Sequence, residues 1–149
     1  MVKKLLIHIF RRKVVLDMIG VLIVTHGNLS TGLMESVELI MGKQEKVKTL
    51  TLHHGDNVEV LKGQIKKDIE ELNDGDGVIV LTDVFGGSPT NATVINMQNL
   101  EFQAITGVNL PMLLETFCLR EEMDLEPLTK HLVESGKEGI KDLKEALNM

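Results

Sequence analysis

Ile19-Gly20-Val21-Leu22-Ile23-Val24-Thr25-His26-Gly27 is an unbroken, β-branched apolar run that ends on a threonine, a histidine and a glycine. A run this short and this apolar is the pattern of a strand buried on both faces, as in a parallel sheet covered by helices. Val78-Ile79-Val80-Leu81-Thr82-Asp83-Val84-Phe85-Gly86-Gly87-Ser88-Pro89 repeats it, with a carboxylate in place of the imidazole. Both passages deliver a functional side chain where a strand ends, and in parallel α/β sheets ligands and chemistry collect at the carboxyl ends of strands.

The rest of the chain supplies alternating helices and strands. Ile19–Val24 is predicted as the first strand. A helix capped by Ser30 then runs to about Met41, with Leu33, Val37, Ile40 and Met41 on one face and Gly42 as its stop. Val47–Leu52 reads as the second strand. Asp56 and Glu59 suggest a capping box, and Val58, Leu61, Ile65, Ile69 and Leu72 form the core stripe of the next helix. Turn chemistry over Asn73–Gly77 precedes a third strand, Val78–Leu81. Ser88 and Pro89 suit the N-cap and first turn of a helix that ends near Gln98. A fourth strand is predicted over Phe102–Thr106. Asn109 and Pro111 open a helix with Leu113, Leu114, Phe117 and Cys118 inward. The last helical region, Leu125 to about Leu147, carries a stripe of Leu125, Leu128, Leu132, Ile140, Leu143 and Leu147, softened by Gly136 and Gly139.

Alternating strands and helices imply right-handed crossovers and an α/β fold. The expectation is a three-layer sandwich: a central, mainly parallel sheet of strand order 2-1-3-4, with helices on both faces. In that order the chain reverses direction between strands 1 and 3, so His26 and Asp83 border one crevice, the topological switch point.

Composition narrows the classes of function. With 149 residues and 43% hydrophobic content the chain can bury the core of one domain. It has no Trp or Tyr and four Phe, which leaves little for base stacking. The formal net charge is −6, and beyond residue 17 there are 11 basic against 21 acidic residues, which argues against a nucleic-acid partner. A single cysteine excludes an internal disulfide and suits a cytoplasmic protein. Residues 1–17 hold Lys3, Lys4, Arg11, Arg12 and Lys13 against Asp17. Their apolar stretch falls short of the roughly 7–15 residues of a secretory core and of the about 20 needed to span a membrane. They read as an extension outside the fold, with residues 18–149 as the domain.

At the crevice, an imidazole is a nucleophile only when one ring nitrogen keeps its lone pair, and a carboxylate on the other nitrogen fixes that tautomer. Asp83 suits that orienting role for His26. Gly86, Gly87 and Ser88 open a helix, where free amides favour an anion and glycine lets the backbone approach closely. His53 and His54 invite a metal reading, but adjacent turn histidines point apart; no metal or other cofactor is expected. His131 reads as an exposed helix residue. Phe85 either anchors the loop in the core or stands at the crevice rim for a docking protein. A hydrolase built on Ser88, His26 and Asp83 is the enzymatic rival, although Pro89 and Thr90 break the nucleophile-elbow pattern. A nucleotide site lacks its glycine–lysine loop.

Val24-Thr25-His26-Gly27, Thr82-Asp83-Val84-Phe85-Gly86-Gly87-Ser88-Pro89-Thr90-Asn91 and Gly107-Val108-Asn109-Leu110-Pro111-Met112 together resemble the IIA component of mannose-type (mannose/fructose/sorbose) sugar phosphotransferase systems. The likeness runs from about Met18 to the C-terminus. It implies a phosphotransferase in which His26 takes a phosphoryl group from phospho-HPr and passes it to a IIB protein, and so indirectly to the membrane components IIC and IID. It further implies that Asp83 orients the imidazole, that Thr25, Gly27, Phe85, Gly86, Gly87 and Ser88 surround the phosphoryl group, and that the protein is a cytoplasmic homodimer. A regulatory module that signals by its phosphorylation state could use the same residues. The chain ends soon after its last helix, so neither a fused IIB domain nor an exchanged C-terminal strand is expected.

Overall fold

A computed structural model describes residues 18–149; the expectation about residues 1–17 lies outside them. Four strands, β1 (Gly20–His26), β2 (Val47–Leu52), β3 (Val78–Thr82) and β4 (Gln103–Thr106), form one parallel sheet of order β2-β1-β3-β4. Helix α1 (Leu29–Met41) follows β1, α2 (Val58–Leu72) follows β2 and α3 (Ser88–Asn96) follows β3; α4 (Leu110–Leu119), α5 (Leu125–Glu138) and the short α6 (Leu143–Ala146) complete the chain.

The period-2 alternation of the central strands builds both faces. Val21, Ile23, Ile79, Leu81 and Ile105 point to one side, against Met34 and Val37 of α1, Met112, Leu113 and Phe117 of α4, and Leu128 and Leu132 of α5. Leu22, Val24, Val78 and Val80 point to the other, against Leu61, Ile65, Ile69 and Leu72 of α2 and Ala92 of α3. Val21 to Val24 are fully buried, each worth about 1.5–3 kcal/mol of apolar transfer. The three-layer α/β sandwich and its strand order agree with the sequence reading.

Close approaches explain three glycines. A Cβ on Gly20 would sit 2.8 Å from Leu72 Cβ and 2.9 Å from the Leu72 carbonyl oxygen. Gly20→Ala is therefore expected to destabilise the fold by about 1–3 kcal/mol through overpacking, read as a lower urea midpoint. A Cβ on Gly136 would meet Met112 Cε at 2.7 Å, and one on Gly139 would meet Pro111 Cγ at 2.6 Å. These two glycines, expected only to soften the last helix, are where α5 crosses the start of α4.

Several local expectations are corrected. The first helix begins at Leu29 with Asn28 as N-cap, because Ser30 is occupied elsewhere: its N–H donates to Thr25 Oγ1 and its hydroxyl to the Leu50 carbonyl. Ile40 is exposed rather than part of the core stripe. Asn57, not Asp56, caps α2 by accepting from the Glu59 N–H, while Asp56 accepts from His53 N–H. Cys118 is exposed, since α4 turns Met112, Leu113, Thr116 and Phe117 inward. The final helical region breaks after Glu138, leaving Ile140, Leu143 and Leu147 exposed instead of on a buried stripe.

Candidate functional site

Thr25 and His26 close β1, with His26 in register with Leu52 of β2, whereas the pairing of β1 with β3 stops at Val24 and Thr82. Beyond that point α1 leaves toward one face of the sheet and α3 toward the other. The loops after β1 and β3 diverge and leave a crevice, with His26 on one wall and Asp83 on the other.

Asp83 makes two contacts across the crevice to His26 and a third within its own loop. Its Oδ2 accepts from the His26 backbone N–H at 2.8 Å and lies 2.8 Å from His26 Nδ1, and its Oδ1 accepts from the Val84 N–H at 2.9 Å. Burial pushes the Asp83 carboxyl up, but the bonds from His26 N–H, the His26 ring and Val84 N–H, with the charge of the imidazole, together hold it below the ordinary carboxylate range. An ionised carboxylate only accepts hydrogen bonds, so the proton of a neutral His26 ring lies on Nδ1 and the lone pair on Nε2. The imidazole is 47% exposed and Asp83 12%, so the ring is open to solvent while the carboxylate beside it is nearly covered.

The Asp83–Ser88 segment forms a turn closed by Gly87 N–H donating to the Val84 carbonyl at 3.2 Å. Gly86 sits at φ +78 in that turn, a conformation glycine adopts without steric cost. Asn91 Nδ2 donates to the Gly86 carbonyl at 3.0 Å. Among the described residues, the amides of Phe85, Gly86 and Ser88 make no hydrogen bond, and they lie at the N-terminal end of α3. Oriented free amides at a helix start favour an anion.

A Cβ added to Gly87 would lie 2.8 Å from His26 Cε1, so this glycine sets how far the ring leans toward the turn. Its backbone, at φ −70 and ψ 161, suits any residue. Gly87→Ala is accordingly expected to leave thermal stability within a few degrees, while displacing the imidazole from Asp83 and lowering the reactivity of His26 about tenfold or more. Melting curves and a rate measurement on the same protein check both halves.

Several groups of the expected cradle already have hydrogen-bond partners. Thr25 is fully buried and its hydroxyl accepts from Ser30 N–H, so it caps α1 from below. The Gly27 N–H donates to the Leu52 carbonyl at 2.8 Å and the Gly87 N–H to Val84, so neither is free for a ligand. Ser88 begins α3 but its side chain does not cap it; Gly87 is the N-cap. No hydrogen bond joins Ser88 to His26 among the described residues. Phe85 is 85% exposed and Val84 is exposed beside it; of the two alternatives for Phe85, the ring stands at the rim. His53 and His54 are exposed, and no three His, Cys, Asp or Glu residues among those described could hold a metal ion. No helix among the described residues is long and apolar enough to cross a membrane.

Thr90 and Asn91, which hold the turn from within α3, had no role assigned from sequence. Their signal was threonines at Thr82, Thr90 and Thr106, each at the end or start of an element on the same rim.

A family model described as "PTS system fructose IIA component" matches residues 20–133. The mannose-specific EIIAB component of Escherichia coli (strain K12) is 36% identical over 128 residues, covering 85% of this chain and 40% of that protein. The chain thus spans less than half the length of that relative. The fructose-specific EIIA component of Bacillus subtilis (strain 168) is 32% identical over 77% of this chain and 80% of its own length. Among solved structures, the phosphotransferase system component EIIA from Streptococcus agalactiae aligns with a TM-score of 0.79 and 30% identity, over 86% of this chain and 99% of that one. The IIA protein associated with the fucose utilization operon from Streptococcus pneumoniae aligns with a TM-score of 0.77 and 32% identity, over 86% of this chain and 95% of that one.

Proposed function

The chain belongs to the family of mannose- and fructose-type IIA components of sugar phosphotransferase systems, and from that premise we propose that His26 is a transient phosphoryl carrier. The observation that carries the reading is the 2.8 Å contact of His26 Nδ1 with Asp83 Oδ2, which leaves Nε2 as the nucleophile. The Nε2 lone pair attacks the phosphorus of a phosphohistidine on HPr. The bond from phosphorus to the donor nitrogen breaks, and its electron pair returns to the donor ring. His26 becomes an N-phosphoryl imidazolium that keeps its Nδ1 proton on Asp83, whose negative charge stabilises the cation. A nucleophile on a IIB protein then takes the phosphoryl group by the same step in reverse.

The phosphoryl oxygens fall to the amides of Phe85, Gly86 and Ser88 and to the Ser88 hydroxyl. Electrostatic stabilisation by such fixed donors is effective because they need no reorganisation as charge develops. The exposed Val84 and Phe85 suit a carrier whose donor and acceptor are both proteins, since each must cover the crevice in turn. In this reading the protein acts in the cytoplasm as a homodimer.

Incubation with phosphoenolpyruvate, Enzyme I, HPr and a IIB protein tests the proposal. Acid-labile phosphate on His26 that moves to IIB is the expected result. Phosphate that stays on His26 with every IIB offered would replace transport with a signalling role.

A further inference from the structure

We propose that Thr90 is a positioning residue for His26 and Asp83, acting through a buried chain of hydroxyls that sets the Val84–Gly87 turn. This rests on the phosphocarrier reading, and it assigns a role to side chains that touch neither the phosphoryl group nor a partner.

Thr82, at the end of β3, and Thr90, in the first turn of α3, are 1% and 8% exposed. Thr90 Oγ1 donates to the Val84 carbonyl at 2.7 Å and lies 2.8 Å from Thr82 Oγ1. A hydroxyl has one proton. Because that of Thr90 goes to Val84, Thr82 is the donor of the pair. Thr106, at the end of β4, stands 3.5 Å from the same oxygen. The direction of the chain is therefore Thr82 to Thr90 to the Val84 carbonyl.

That carbonyl is the fixed point of the site. It also accepts from the Gly87 N–H, which closes the turn. The same Val84 residue donates its own N–H to Asp83 Oδ1. The N–H of Val84 thus aims the carboxylate and its carbonyl places Gly87, where an added Cβ would lie 2.8 Å from His26 Cε1. Thr90 ties both to the ends of β3 and α3 rather than to the loop itself. An ordinary helix-start threonine would satisfy its own helix; this one bonds outward to a loop carbonyl six residues earlier. Buried hydroxyl networks of this kind specify a single geometry because each unmade bond is costly in the interior.

Thr90→Val removes the hydroxyl at nearly constant volume, and Thr90→Ser restores it. With the full chain, the expected result for Thr90→Val is loss or strong shift of the hydrogen-bonded His26 Nδ1–H signal in nitrogen-15 NMR. Its kcat for transfer from phospho-HPr should fall about tenfold or more, as small misplacements do. Thr90→Ser should recover both. Thr90→Val that folds and keeps the ring signal and a kcat within about twofold of the parent overturns the assignment. If Thr90→Val does not fold, Thr90→Ala takes its place, since it removes the same hydroxyl without adding a second γ-methyl; an unchanged ring signal in that variant overturns it equally. The ring measurement needs no phosphoryl donor, so a parent protein that accepts no phosphate would refute the carrier reading while leaving the positioning result legible.

Discussion

His26→Gln is expected to take up no phosphate from phospho-HPr, below detection at any time that labels the parent protein fully, and to fold normally. The side chain ends β1 at the protein surface, half exposed, and the core of that strand is complete at Val24. Surface substitutions of this kind change stability by about 0.5 kcal/mol or less, with the lost Asp83 contact adding a modest further cost. Glutamine keeps a polar group in the crevice but has no lone pair on nitrogen able to form a bond to phosphorus. Circular dichroism and a urea titration, beside the labelling experiment, separate loss of the nucleophile from loss of the fold.

Asp83→Asn is the second large effect, and it works through the tautomer. The amide keeps the shape of the carboxylate, but its nitrogen donates where the carboxylate only accepts. An amide N–H facing Nδ1 favours the ring with its proton on Nε2, and the lone pair is withdrawn from the reacting edge. The negative charge that stabilises the phosphorylated imidazolium is lost as well. Transfer is expected to slow by on the order of 10²-fold or more. Wild-type rates in Asp83→Asn would refute the orienting role.

The same substitution has a signature in acid. The folded-state pKa of Asp83 lies below the ordinary value, so its contribution to stability is present above the unfolded pKa of about 3.9 and is lost as the pH falls through the lower folded value. The stability gap between the parent and Asp83→Asn should therefore be largest near neutrality and close below about pH 4. Urea midpoints for both proteins across that range give the test; a gap that widens in acid has the wrong sign.

The fold was legible because its signals are strong and redundant. Val21 to Val24 and Val78 to Leu81 are too apolar for anything but a doubly covered strand, and the turn run from Asn73 to Gly77 fixes where one helix ends and the next strand starts. The meeting of His26 and Asp83 followed from strand order, since the chain runs from β1 out to β2 but from β3 out to β4, in opposite directions along the sheet. Caps were less legible, because a hydroxyl or carboxamide near a helix start has competing partners. Ser30 satisfies the Leu50 carbonyl across the sheet, and Asp56 turns back to His53. The C-terminal stripe misled because helical spacing continues on paper through Gly139, while α5 ends against Pro111. Which loop amides are free was invisible for the same reason: the partners of Gly27 and Gly87 are backbone carbonyls that only the folded turn brings into reach.

The most direct test of the central claim is to phosphorylate the full chain with phosphoenolpyruvate, Enzyme I and HPr, and to map the phosphate by intact mass and peptide analysis before and after adding a IIB protein. One acid-labile phosphoryl group on His26 that leaves when IIB is added is the expected result. No phosphate on His26, with an HPr that phosphorylates another IIA component in the same experiment, would contradict it.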